Sequence, residues 1–411
     1  MRIAYLTQSY PPMVSGASLA VQTLADGMVE QGHQVLVLTS SDRDEPYTVQ
    51  KESLTVYHHR SYLNPFRVGQ RYTRDAHRKN TKLLHDFGPD IVHTHDPFQF
   101  AYSGLKYARE KNVPVTITTH QLPWFIKAYL PECPGVGDFI EEAFWGYSNW
   151  LLRKFDCVVS PTHTIAKVIQ QETGVCPDVI NYGIELDCFH NGMKDELVER
   201  TFGKSFDIPV NVPILLHVGR LDVDKSVEIV VRAAARSMAW NDAHLLVVGD
   251  GTEKARLMRL CKELGISKRS HFPGYITSRR NLADVYRMAD IFITASEIET
   301  QGIVLLEAAA CGLPIVAVNA TCIPEIVKDG LNGFLVAPGD VDRMADRLSR
   351  LLSDRNKARV MGQSGCSISK NFDKQKMIDE HANLYAKVIL TSRSYSVSFQ
   401  NSWQRQRTPF S

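Results

Sequence analysis

Glu299-Thr300-Gln301-Gly302-Ile303-Val304-Leu305-Leu306-Glu307-Ala308-Ala309-Ala310-Cys311-Gly312-Leu313-Pro314 is the stretch from which the rest of the chain can be read. Two acids stand seven residues apart, and the second interrupts a run that is otherwise apolar or small. A buried carboxylate is costly unless it is paired or hydrogen-bonded, so something polar must meet Glu307. A ligand rich in hydroxyls, such as a nucleotide sugar, is a candidate. Gly302 can open a helix, 303–310 are mostly good helix formers, and Cys311-Gly312-Leu313-Pro314 reads as a helix stop. Residues 289–295 before it and 315–318 after it read as buried strands. The N–H groups at such a helix start, near Gly302 and Ile303, can receive a phosphate. A plainer alternative, an acid that points to solvent, also fits Glu307 taken alone.

Working outward, the same alternation recurs. Apolar strand candidates fall at 3–6, 35–38, 91–95, 115–119 and 157–160, with helical patterns such as 17–30 and 104–111 between them. The pattern restarts at 214–218, 245–248, 271–272, 291–294 and 315–318. Strands alternating with helices predict an α/β chain with mostly parallel sheets. The boundary between the halves is expected in the polar stretch 187–213, and a last helix at 374–390. Residues 391–411, rich in Ser, Gln and Arg, read as a disordered tail.

Composition narrows the function classes. A chain of 411 residues is too long for one ordinary core, so two domains are expected. Its net charge of +2 gives no reason to expect a nucleic-acid partner. No apolar run approaches the ~18–20 residues of a membrane helix, and the N-terminus reads as a strand and a turn rather than a signal peptide. Eight cysteines without a Cys-x-x-Cys spacing suggest reduced thiols and a cytoplasmic setting.

Ligands of open α/β sheets bind beyond the carboxyl ends of the strands, and several motifs can be judged by that location. Arg220 and Lys225 follow the strand 214–218. A planar guanidinium and a mobile ammonium suit a diphosphate, although two exposed loop cations are common. Gly16 lies in the turn after the first strand, where small residues let a substrate approach the backbone; any such turn favours Gly and Ser. Gly249-Asp250-Gly251 reads first as a tight turn. His120 ends the strand 115–119 and can hydrogen-bond a sugar or a transition-state oxygen; taken alone, a satisfied structural histidine is the simpler reading. His93 and His95 share a strand face. Two imidazoles do not make a metal site, so a loop-shaping role is expected, with cleft contact for Asp96. Asp222-Val223-Asp224 has the form of a divalent-metal triplet, but it lies inside the Arg220–Lys225 segment, and no metal is read from it.

These residues resemble the family 4 retaining glycosyltransferases, over residues 1–390. The most specific parts are Glu299-x7-Glu307 with the following Ala308–Pro314 residues, and Gly219-Arg220-Leu221 followed by Lys225. Pro11-Pro12 with Gly16, His93-Thr94-His95-Asp96, Thr119-His120 and Pro324-Glu325-Ile326-Val327 with Gly330-Asn332-Gly333 support it. The resemblance implies the GT-B fold: two Rossmann-like doubly wound domains (1–188, acceptor side; 189–373, nucleotide-sugar side) facing a cleft, with helix 374–390 crossing back. It implies that Glu307 binds the ribose hydroxyls and that Glu299 faces the transferred sugar. Arg220 and Lys225 would hold the diphosphate with the backbone N–H groups after Gly302, those of Ile303 and Val304. His120 and Gly16 would approach from the first domain. Two departures stand out: Ser226 where the family often has Gly, and Gln301 where many members carry an aromatic residue. Thr300-Gln301-Gly302 looks like the branch that glucosylates diacylglycerol.

The reaction so implied is retaining hexosyl transfer from a nucleotide-diphosphate sugar to an acceptor hydroxyl, of a lipid such as diacylglycerol, with no metal or other cofactor. Arg67, Arg71, Arg74, Arg78, Lys79 and Lys82 form a basic, helical-looking stretch. Downstream, Trp124, Phe125, Tyr129, Phe139, Phe144, Trp145, Tyr147 and Trp150 crowd together. Such segments could bring the enzyme to an anionic membrane, at the inner face of the cell membrane; an ordinary solvated helix beside a partly buried aromatic one is the competing reading. Rival functions are a nucleotide-sugar epimerase or phosphorylase and a non-catalytic nucleotide-sugar-binding module.

Overall fold

Two sheets, built mostly of parallel strands, divide the chain. The computed structural model describes residues 1–13, 15–63, 71–74, 76–120, 122–124, 136–192 and 203–405. In the first half lie β1 (Arg2–Leu6), β2 (Gln34–Ser40), β3 (Tyr47–Lys51), β4 (Leu54–His59), β5 (Tyr62–Leu63), β6 (Arg71–Tyr72), β7 (Ile91–Thr94), β8 (Val115–Thr118), β9 (Cys157–Ser160) and β10 (Asp178–Val179). Eight of these form one sheet in the order β10-β9-β8-β7-β1-β2-β4-β3, and β5 pairs with β6 as a separate ribbon. The second half contributes β11 (Ile214–Val218), β12 (His244–Val248), β13 (Ser270–Gly274), β14 (Ile291–Thr294), β15 (Ile315–Val318) and β16 (Gly333–Val336), in the order β13-β12-β11-β14-β15-β16.

The central strands are buried along their whole length, as parallel strands covered on both faces must be. All ten strands expected from apolar runs are present. The hairpin β3–β4 and the short β10 and β16 lacked that signal. β3 is an exposed antiparallel edge with charged and polar residues, and β16 opens on a glycine.

Each sheet reverses its strand order once, between β1 and β7 in the first and between β11 and β14 in the second. Crevices at such reversals are where doubly wound sheets bind ligands. The turn carrying Gly16 follows β1, and the loops carrying Arg220, Lys225 and Glu299 follow β11 and β14.

The last helix, Lys374–Arg405, crosses back to the first sheet. Its Met377, Ile378, Leu384, Tyr385 and Val388 complete a core with Ile3, Tyr5, Val21, Leu24 and Met28. The helix continues past 390, where a disordered tail was expected; no Gly or Pro interrupts 374–405, so nothing local stops it. Residues 406–411 lie outside the described ones.

The basic stretch also differs from its reading. Arg71 belongs to the β5–β6 ribbon and bonds Asp44 and Ser61. Only Arg78, Lys79 and Lys82 lie on the helix His77–Phe87, and Arg67 lies outside the described residues. Their spacing suggested one helix, but Arg71 and Tyr72 take their backbone bonds from Tyr62 and Leu63 instead. Phe125 and Tyr129 likewise lie outside the described residues. Among the described residues no helix is long and apolar enough to cross a membrane.

Candidate active site

The β14 loop ends at Gly302, which caps the helix Ile303–Ala310 with φ +79°. Only glycine takes that conformation without strain, and a Cβ there would come 2.9 Å from Leu305 Cδ1. The helix expected over 303–310 therefore forms with those bounds; its backbone bonding begins with the Leu305 amide on Gly302 O, at 2.9 Å, just after the Ile303 and Val304 amides at the helix start. A Cβ added to Gly16 would lie 3.5 Å from Ile303 Cδ1, so the turn after β1 touches this helix start across the two domains.

Beside it lies an ion-paired network. Lys225 Nζ is 2.6 Å from Glu299 Oε1 and bonds Ser296 Oγ at 3.3 Å, while Ser296 Oγ donates to Glu299 Oε1 at 2.7 Å. Arg220 bonds Asp222 and also Asp224, the latter at 2.7 Å. Asp222 takes two further bonds from Thr252, through its amide and hydroxyl, each at 3.0 Å. The Asp-Val-Asp triplet thus orients the guanidinium. The turn Gly249-Asp250-Gly251 backs the same loop: Gly249, at φ +139°, lies so close to Gly219 that a Cβ would fall 1.8 Å from its carbonyl oxygen.

Glu307 answers its burial differently from the expectation. It is 2% exposed, and both carboxylate oxygens already have protein partners: Arg279 Nη1 at 2.6 Å and the Tyr286 hydroxyl at 2.9 Å. Both partners come from the helix Arg279–Met288, and sequence reading named neither. Arg279 also stacks over Phe189 and approaches Glu185 at 3.5 Å.

His120 is 7% exposed, and both ring nitrogens are occupied. Nδ1 pairs with the Tyr182 hydroxyl and Nε2 with His95 Nδ1 at 2.9 Å. His93 bonds Tyr385 and Thr118, at 2.6 and 2.8 Å, with its ring 4.1 Å from that of His95. Burial pushes His120 down to about 3 and His381 to about 4, and holds His93 and His95 well below the ordinary imidazole range. These rings are neutral. Asp96 beside them is pushed up to about 7 by burial, and its Oδ2 has no hydrogen-bond partner among the described residues.

A third residue that sequence reading did not name is His217 at the end of β11. Burial lowers it to about 4; its Nδ1 meets Ile293 O at 3.0 Å and its buried Nε2 has no hydrogen-bond partner among the described residues. A small apolar pocket of about 70 Å³ opens between His120 and the helix Val136–Leu152, lined by Phe98, Leu122, Phe144, Trp145 and Tyr147 among others.

The structure thus joins Arg220, Lys225 and Glu299 in one network, brings Gly16 against Ile303, and places Glu307 in a separate ion pair.

Comparison with known proteins bears on the family and the fold. A family model described as Glycosyltransferase Family 4 matches residues 14–187, and one described as Glycosyl transferases group 1 matches 198–367. The N-acetyl-alpha-D-glucosaminyl L-malate synthase of Bacillus anthracis is 27% identical over 92% of this chain and 95% of its own length. The alpha-monoglucosyldiacylglycerol synthase of Streptococcus pneumoniae is 28% identical over 82% of this chain and 75% of its own. A sucrose-phosphate synthase structure from Thermosynechococcus elongatus superposes with a TM-score of 0.81 at 22% identity, over 95% of this chain and 99% of that one. With the two family models spanning both halves and the paired doubly wound sheets between them, the chain belongs to the family 4 glycosyltransferases of the GT-B fold, enzymes that draw on nucleotide-sugar donors.

Proposed function

We propose that this glycosyltransferase moves a hexosyl group, with retention at the anomeric carbon, from a nucleotide-diphosphate sugar to the hydroxyl of a lipid such as diacylglycerol. The carrying observation is the Lys225–Glu299 ion pair, with Arg220 fixed nearby, set next to a helix start that Gly16 touches from the opposite domain. As the anomeric bond breaks, negative charge builds on the diphosphate. Lys225, Arg220 and the amides of Ile303 and Val304 stabilise it where it develops. Glu299 faces the sugar. Glu307, held by Arg279 and Tyr286, uses its remaining lone pairs for the ribose hydroxyls. The acceptor hydroxyl attacks from the leaving-group side and loses its proton to a phosphate oxygen. The reading needs no metal, because Asp222 and Asp224 are committed to Arg220; activity that persists in EDTA is the expected result.

The acceptor reading rests on the apolar pocket beside His120 and on relatives named for glycolipid synthesis. Exposed Phe139 and Trp150 on the helix Val136–Leu152, and exposed Arg78, Lys79 and Lys82, supply a surface for an anionic membrane. The test is incubation with a panel of labelled nucleotide sugars and crude lipid. Labelled lipid supports the reading. Free epimerised sugar, a sugar phosphate, or binding without turnover each refutes it. Salt-insensitive failure to sediment with anionic liposomes removes the membrane component.

A further inference from the structure

Gln301, the residue just before the helix-opening Gly302, is 1% exposed. Its carboxamide makes a two-bond fork onto one residue of the other domain. Oε1 accepts from Tyr182 N at 2.5 Å, and Nε2 donates to Tyr182 O at 3.0 Å. The neighbouring Thr300 carbonyl accepts from Thr162 Oγ1 at 3.1 Å. The two residues just before Gly302 are therefore tied to the first domain by three hydrogen bonds. From Tyr182 the connection continues through its hydroxyl to His120 and on to His95, all buried.

We propose that Gln301 is a positioning residue for the donor diphosphate, resting on the donor reading above. The carboxamide holds the start of the helix Ile303–Ala310 in register with the first domain. The helix amides and the Gly16 turn then form one seat. His120 has both nitrogens engaged and acts through Tyr182, steadying the clamp rather than touching substrate. A carboxamide suits this task because it offers one acceptor and one donor to the N–H and the C=O of a single residue; an aromatic ring at 301 could do neither.

The decisive variant is Gln301→Glu, which keeps shape but sets a carboxylate oxygen against the Tyr182 carbonyl. Its protonated form regains the donor. Tyr182 and His120 from the first domain and Glu299, Cys322 and Glu325 from the second are the titratable groups around it, so the wild type is titrated alongside. UDP and GDP binding by calorimetry, donor KM and kcat, and melting temperature are measured from pH 8 to pH 6. The expected result is at least a tenfold loss of diphosphate affinity and of donor kcat/KM at pH 8, read well below the melting temperature, which itself falls because the new carboxylate is buried. At least threefold should return by pH 6, a recovery the wild type lacks. Gln301→Ala should lose as much at every pH, and Tyr182→Phe, which spares the backbone fork, about two- to fivefold. Wild-type-like Gln301→Glu and Gln301→Ala, or a pH-independent loss tracking a lower melting temperature, overturns the proposal. A wild type that binds diphosphate but transfers no sugar sinks the transferase reading while the binding data still judge Gln301. A wild type that binds neither diphosphate overturns both.

Discussion

The two faces of the cleft solve the same problem in opposite ways. Both bury polar side chains. The second-domain face pairs most of them with a side chain of opposite type, Lys225 with Glu299, Arg220 with Asp222 and Asp224, and Arg279 with Glu307, and its buried His217 ring is the exception. The first-domain face strips charge away: His93, His95, His120 and His381 are held neutral, and Asp96 is held to about 7. The difference matches the two halves of the proposed reaction. A diphosphate leaving group needs cations whose solvation is already replaced by fixed partners, whereas an uncharged sugar and an apolar-bodied acceptor need a wall that does not compete for the charge.

The largest expected effect would break the neutral face. Unfolded imidazoles take up protons below about pH 6.5, while the buried rings resist down to about 3 for His120 and about 4 for His381. The unfolded state then binds more protons, so stability falls as pH drops from about 6.5 toward 4. At ~1.4 kcal/mol per pKa unit the loss from His120 and His381 is on the order of several kcal/mol by pH 4, part of it offset by Asp96, whose burial cost is relieved over the same range. Hydrogen exchange at pH 4.5 should show β1, β7 and β8, beside the cluster of four buried imidazoles, opening before β11 and β14, which share the single His217; simultaneous opening would contradict the contrast.

Next, Lys225→Ala removes the cation from the charged face. Transfer should fall on the order of 10³-fold, about 4 kcal/mol of transition-state stabilisation, with melting nearly unchanged. An active Lys225→Ala enzyme refutes its role.

Asp96→Asn sharpens the comparison from the other side. Between about pH 4 and 7 the folded state holds a proton the unfolded chain has lost, so burial of Asp96 costs stability progressively as pH rises through that window. The variant should be more stable than wild type at pH 8, by on the order of 3 kcal/mol, and not at pH 4. Its acid loss should also be steeper, because Asp96 opposes the histidines there. Equal gains at both pH values would mean that the carboxyl is not the titrating group. The smallest effect is Tyr286→Phe, which removes one bond to Glu307 and should cost about 1–2 kcal/mol in denaturant melts while raising donor KM.

Much of this was legible in the chain. β9, β11, β14 and β15 and the helix Ile303–Ala310 have the bounds their apolar runs predicted, because buried parallel strands and a Gly-opened, Gly-Pro-closed helix carry strong local signals. The position of Arg220, Lys225 and Glu299 at strand ends followed from the same pattern. What could not be read depends on long-range placement. Arg279 and Tyr286 meet Glu307 only because two helices pack, and no local pattern links residues 28 and 21 positions apart. The bonds of Gln301 to Tyr182 span 119 positions. Arg71 was misread because cations at helical spacing look alike whether they lie on a helix or in a ribbon.

The crossing-back of the last helix also bears on how the protein is made. Tyr385, fully buried, fills the first domain's core against Tyr5, near the opposite terminus. A chain emerging from a ribosome can finish the second sheet as soon as residue 336 is out, yet the earlier-made half keeps an open hydrophobic gap until about residue 388 has left the tunnel. Synthesis order and completion order are reversed, so the half translated first is the one that waits, and nascent-chain chaperones have the most to protect there.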